Sequence, residues 1–133
     1  MDKIRQYRTS ILNSFAAMLI YGSWAVYANF EHGAQAWKMA GAIQGVYAFF
    51  STLSVTVVAQ WVYTKCGRGW LGIVVGFLVS FVVMLTIPIA VHNLAGTPDI
   101  LQTILPGLIW GSGYLILFLV LKERTNKLRA NGS

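Results

Sequence analysis

Four long stretches with no charged side chain in their interiors govern what this chain can become: Ser10–Phe30, Trp37–Tyr63, Trp70–His92 and Asp99–Leu121. Each is long enough for the roughly 20 helical residues that cross a hydrocarbon layer about 30 Å thick. Little sequence remains outside them. Charged residues make up 11% of the 133 positions, where a soluble domain carries about a quarter. The expected fold class is therefore all-α, a polytopic membrane protein of one domain over residues 1–133. Four transmembrane helices form an antiparallel bundle, with spans at about 10–30, 37–63, 70–92 and 99–121 and a frayed polar tail at 122–133.

The formal charge of +6 is distributed by side. Lys3, Arg5 and Arg8 precede the first span, Lys65 and Arg68 separate the second from the third, and Lys122, Arg124, Lys127 and Arg129 follow the fourth. Only Lys38 lies in the other two connections. Nine of ten basic residues thus fall on alternate sides, which predicts both termini inside and argues against dual topology. This distribution points to a lipid bilayer as partner and to no nucleic acid. It fits an integral protein of a bacterial inner (cytoplasmic) membrane with cytoplasmic termini. A signal-peptide reading competes, because "MDKIRQYR" and the small-residue stretch "VYA" at 26–28 bracket an apolar segment. That segment is interrupted by Asn13 and Ser14 and outruns the usual signal length.

The connections carry recognisable turn chemistry. "NFEHG" ends the first span, with Gly33 as a helix stop. "KCGRGW" at 65–70 supplies Gly67 and Gly69 for a tight turn. In "HNLAGTPDI" Thr97 is expected as the helix N-cap, Pro98 as the first helical residue and Asp99 as the first-turn anion. Pro88 and Pro106 fall inside spans, where each removes one backbone hydrogen bond.

The second span, "AIQGVYAFFSTLSVTVVAQWVY", is unusually rich in hydrogen-bonding groups. At about 100° per residue, Val46, Phe49, Phe50, Leu53, Val57 and Trp61 gather on one side. Opposite them, Gln44, Tyr47, Ser51 and Ser54 form one polar stripe, and Gly45, Thr52, Thr56, Gln60 and Tyr63 a second. An unpaired amide in hydrocarbon costs roughly 2–7 kcal/mol, so both glutamines are expected to face protein or water. Asn13, Tyr21 and Trp24 follow one face of the first span. Gly72, Gly76 and Ser80 repeat at every fourth position, as do Gly107 and Gly111. Both sets are the small-residue pattern that lets helices approach closely.

No Asp, Glu, Lys or Arg falls mid-bilayer, which argues against proton-coupled exchange through an intramembrane charge. The outer rim collects Asn29, Glu31, His32, His92 and Asp99. Their spacing carries no zinc motif, and helix capping accounts for each of them. The single Cys66 excludes an internal disulfide. No phosphate loop or nucleophile motif is present, and neither a metal nor a cofactor is expected.

Two functions compete. The first is a transporter, channel or lipid-translocating bundle that works as an oligomer, with Gln44, Tyr47, Ser51, Thr52, Ser54, Thr56, Gln60, Asn13, Tyr21 and Trp24 as pathway candidates. The second is an accessory or assembly subunit of a larger membrane complex, using the same polar face for docking. An interfacial enzyme built on the rim is a distant third. The topology itself is testable in intact cells with a membrane-impermeant thiol reagent. In a Cys66→Ser background, His32→Cys should label from outside, whereas Cys66 in the native chain should not; the opposite pattern would invert the orientation.

Overall fold

A computed structural model describes residues 2–132, and these are helical almost throughout. Helix α1 spans Asp2–Ala28, and a single 3-10 turn, Phe30–His32, leads to α2 at Ala34–Lys65. Helices α3 and α4 span Gly69–Leu94 and Ile100–Asn131. All four contain segments long and apolar enough to cross a membrane. At 1.5 Å per residue, the 32-residue α2 and α4 reach about 48 Å, well beyond the hydrocarbon layer.

The helices exceed the expected spans at their charged ends. Helix α1 begins eight residues before Ser10. The expected frayed tail instead forms the closing turns of α4. Glu123 explains the difference. Its carboxylate Oε2 accepts hydrogen bonds from the buried Tyr63 hydroxyl and from the Gly69 amide at 3.0 Å. Asn126 adds a donor to the Tyr63 oxygen, and Lys127 pairs with Glu123 one turn on. The tail is thereby tied to the α2–α3 turn. In that turn Gly67, Arg68 and Gly69 all have positive φ, at 87°, 63° and 62°. Arg68 is the one non-glycine among the described residues in that region, a conformation costing about 1–3 kcal/mol. Bonds from its amide to Tyr63 O and from Gly72 N to its carbonyl hold it there.

At the start of α4 the expected cap is shifted. Asp99 occupies the N-cap position without a side-chain cap bond, and α4 opens at Ile100. Thr97 is buried and bonds His92 instead.

Helix α2 is the centre of the bundle. It packs against each of the other three helices, whereas the backbones of α1 and α3 make no close approach. Glycine permits these contacts. A Cβ on Gly22 would lie 3.2 Å from Gly41 O, and one on Gly45 3.3 Å from Met18 O. On the other side, a Cβ on Gly72 would lie 2.9 Å from Tyr63 O and one on Gly76 3.2 Å from Ala59 O. The α3 stripe therefore packs on α2 as expected; the Gly41–Gly45 stripe against α1 is an addition. Ser80 continues the α3 stripe, buried and with its hydroxyl unpartnered. Ala59, Tyr63, Met84, Leu115 and Leu119 form an apolar cluster that runs from the α2–α3 turn to the middle of α3. Val46, Phe50, Val57 and Trp61 of α2 face outward, each more than half exposed, whereas Phe49 and Leu53, expected with them, are half-buried, Phe49 against Phe15 of α1.

These contacts rank the glycines. Gly72→Ala drives a methyl into backbone and the Tyr63 ring, so it should destabilise by about 1–3 kcal/mol. Gly113 has nothing within 4 Å, so Gly113→Ala should be neutral. Thermal melting in mild detergent compares the two, and equal melting temperatures would refute the packing described.

Candidate functional site

Two carbonyls decide how the helices meet. Pro106 has no N–H for the carbonyl four residues earlier, that of Gln102, and Pro88 has none for that of Met84. The Met84 carbonyl lies mid-helix in an apolar segment, where an unpaired group is costly, and that of Gln102 lies in the first turn of α4. Each is satisfied by an aromatic side chain from a neighbouring helix. The Trp24 indole Nε1 of α1 donates to Gln102 O at 2.8 Å. The Tyr47 hydroxyl of α2 donates to Met84 O at 3.3 Å. Tyr47 and Trp24, expected along a pathway, thus also join α2 to α3 and α1 to α4.

A second set of bonds closes the end of the bundle where the α1–α2 and α3–α4 connections meet. Asn29 is fully buried. Its Nδ2 donates to Ala25 O at 2.9 Å and to the Thr103 hydroxyl at 2.7 Å, and its Oδ1 accepts from the Asp99 amide at 3.1 Å. The Thr103 hydroxyl in turn donates to Asp99 O. His32 Nε2 and Asp99 Oδ2 lie 2.6 Å apart on the accessible rim. His92, expected on that rim, is instead fully buried. Its ring bridges the Thr97 hydroxyl, 2.9 Å from Nδ1, and Gln44 Oε1, 2.9 Å from Nε2. An amide oxygen only accepts, so Nε2 carries the ring proton and Nδ1 accepts from Thr97. Position near a helix end concealed this inward orientation. Glu31 is exposed.

Beneath this layer lies a cavity of about 400 Å³. Its wall includes Asn13, Ala17 and Tyr21 of α1 and Gln44, Tyr47, Ser51 and Thr52 of α2. Pro88 of α3 and Ile104, Gly107, Trp110, Gly111 and Tyr114 of α4 also contribute. Six of the pathway candidates therefore converge on one space. Gly107 and Gly111, expected as packing positions, also line that space. The nearest atom to a Cβ on Gly107 would be Gln44 Nε2 at 3.7 Å, and the Gly111 approach is to the flexible end of Met84. Gln44 itself is 2% exposed. With Oε1 held by His92, its Nε2 is directed towards Gly107 and the cavity.

The remaining candidates lie elsewhere. Ser54 is exposed and returns its hydroxyl to Phe50 O of its own helix. It borders a smaller pocket between α2 and α3, where Ser80 also sits. Thr56 is half-buried outside the cavity wall. Gln60 is exposed, contrary to the expectation that both glutamines turn inward. Helix α2 meets α3 through Ala59 and Tyr63 at this level, which rotates Gln60 outward. Trp24 lines a groove outside the α1–α4 seam, together with Tyr21, Pro106 and Trp110. Glu123 lay beyond the expected spans, and its clamp on Tyr63 was signalled only by the lone acid in a basic tail.

Comparison with protein-family models, with curated proteins and with solved structures returns no match. What the chain itself shows is a four-helix bundle whose four helices are all apolar enough to span a membrane, with a partly polar cavity inside.

The proline repairs predict a specific rescue. Trp24→Phe strands the Gln102 carbonyl and should cost about 1–3 kcal/mol of stability. In a Pro106→Ala background the new alanine supplies the missing N–H, and the same Trp24 substitution should cost much less. Equal costs in the two backgrounds, measured by denaturation in detergent, would dissociate the indole from the proline.

Proposed function

We propose that this chain is a small integral membrane protein that binds a solute within the bundle and moves it across or within the bilayer. The observation carrying this reading is the convergence of Asn13, Tyr21, Gln44, Tyr47, Ser51 and Thr52 on one cavity. Hydrogen-bonding groups facing open space in a membrane-embedded bundle are expensive unless something occupies that space. In the proposed topology the bundle is antiparallel, with both termini on the cytoplasmic face of a bacterial inner membrane. The hydrogen-bonded layer at one end favours a carrier or lipid-translocating role over an open pore, because the Asn29–Thr103–Asp99 and Gln44–His92–Thr97 bonds cross the bundle there. The proposed role is non-enzymatic.

One observation favours the second reading, an accessory subunit of a larger membrane complex. Gln60 presents an amide on the outside of the bundle, a surface that a protein partner would cover at a gain. Self-association would use this outer face as well, because Gly72 and Gly76 are already buried within the chain.

Reconstitution separates the readings. Vesicles containing the protein should move uncharged solutes or lipids faster than protein-free vesicles. Gly107→Leu, which fills the cavity, should slow this by about tenfold, equivalent to roughly 1.4 kcal/mol. No movement above background, together with a stoichiometric partner on purification in mild detergent, would replace transport by the accessory role.

A further inference from the structure

We propose that the cavity accepts a neutral amphiphile entering sideways from the bilayer between α1 and α4: an apolar body bearing an uncharged oxygen acceptor, such as an ester carbonyl. This rests on the transport reading and names its substrate class.

The geometry supplies the route. The hydrogen-bonded layer described above covers the connection end of the cavity, whereas its α1–α4 side is open at Asn13 and Tyr114, which line it and are exposed. Trp110 and Tyr114 line the cavity and are also 72% and 54% exposed on the outer surface. Tyr21 and Trp110 belong at once to the cavity and to a groove of about 610 Å³ outside the same seam. The hydrogen bonds between α1 and α4, from Trp24 and Asn29, lie at the connection end of the seam. Tyr21 and Trp110 stand between the groove and the cavity, and their rings, which tolerate hydrocarbon on either face, are where an entering ligand would pass.

The wall supplies the chemistry. Among the described residues lining the cavity there is no Asp, Glu, Lys, Arg or His, so an ion would lose its hydration without gaining a counter-charge. The buried Gln44 amide directs its Nε2 donor into the space, and Gly107 leaves room in front of it. That donor selects an acceptor oxygen, and an alkane would leave it unpaired. A volume of about 400 Å³ lies within the range of small-molecule sites.

The test uses the full chain in phospholipid vesicles with three diazirine probes of one chain length: a methyl ester, the free acid and the plain alkane. After photolysis, peptide mass spectrometry locates the adducts. The ester should label the segments around residues 44–52 and 104–111 about five- to tenfold more than the alkane, the factor expected of one hydrogen bond to a buried donor. Gln44→Leu should abolish this preference while alkane labelling persists, which also reports an intact fold. Gly107→Leu should remove labelling of both segments and leave the groove at 20–27 labelled. Equal labelling by ester and acid, an ester preference that survives Gln44→Leu, or adducts confined to the groove would each overturn the site. Labelling as expected without solute movement in vesicles would retain the site and remove transport. Movement unaffected by Gly107→Leu would do the reverse.

Discussion

A bilayer interior offers no water to a stray carbonyl, so every backbone polar group there must find its partner within the protein. Pro88 and Pro106 each break that rule once, and the bundle is arranged so that a neighbour makes good the loss. Tyr47 reaches Met84 O and Trp24 reaches Gln102 O. Each repair crosses from one helix to another, so the covalent peculiarity of proline becomes a tertiary constraint. It sets the relative rotation of α2 and α3, and of α1 and α4, more sharply than apolar packing alone would. Hydrocarbon side chains gain little by meeting one another in lipid, which is itself hydrocarbon.

The cavity follows from the same constraint. Small residues bring α2 against α1 and α3 at close range, with Gly22, Gly41 and Gly45 on one side and Gly72 and Gly76 on the other. Helix α4 is held near α1 at the connection end by Trp24 and Asn29 and is tied to the α2–α3 turn by Glu123. Between these fixed points Gly107 offers no side chain to fill the gap, while the Met84 side chain packs against Gly111. The space left carries Gln44 at its head. The His92–Thr97 pair orients that amide by taking its oxygen and leaving its nitrogen towards the cavity. A buried polar chain of this kind is stable because each member is satisfied by the next.

The inward side of α2 was legible where the residues lay near its middle. Gln44, Tyr47, Ser51 and Thr52 face the cavity as a helical wheel implies. The wheel failed at Gln60, because a neighbour covers only part of a helix circumference and that part shifts along its length. Near residue 60 the contact with α3 passes through Ala59 and Tyr63. Gln60 is also only five residues from Lys65, about 7.5 Å along the axis, so its amide reaches towards the polar interface at modest cost. His92 and Asn29 failed in the opposite direction. A helix-end position suggested solvent, yet the paired connections fold over both side chains.

Long apolar runs and the placement of basic residues were enough to establish four membrane-length helices and to motivate a topology, because hydrocarbon thickness and backbone hydrogen bonding leave a chain of this composition few alternatives. Glycine spacing was enough to locate close contacts on α3, but not to tell a tight contact from a cavity wall: Gly76 meets backbone whereas Gly107 borders the cavity beside the Gln44 amide. Only the tertiary arrangement decided that difference, along with the partners of the proline-freed carbonyls and the direction of the Gln44 amide. The physical reason is that helix formation depends on near neighbours in sequence, while a cavity or a satisfied carbonyl depends on which face of a distant helix stands opposite.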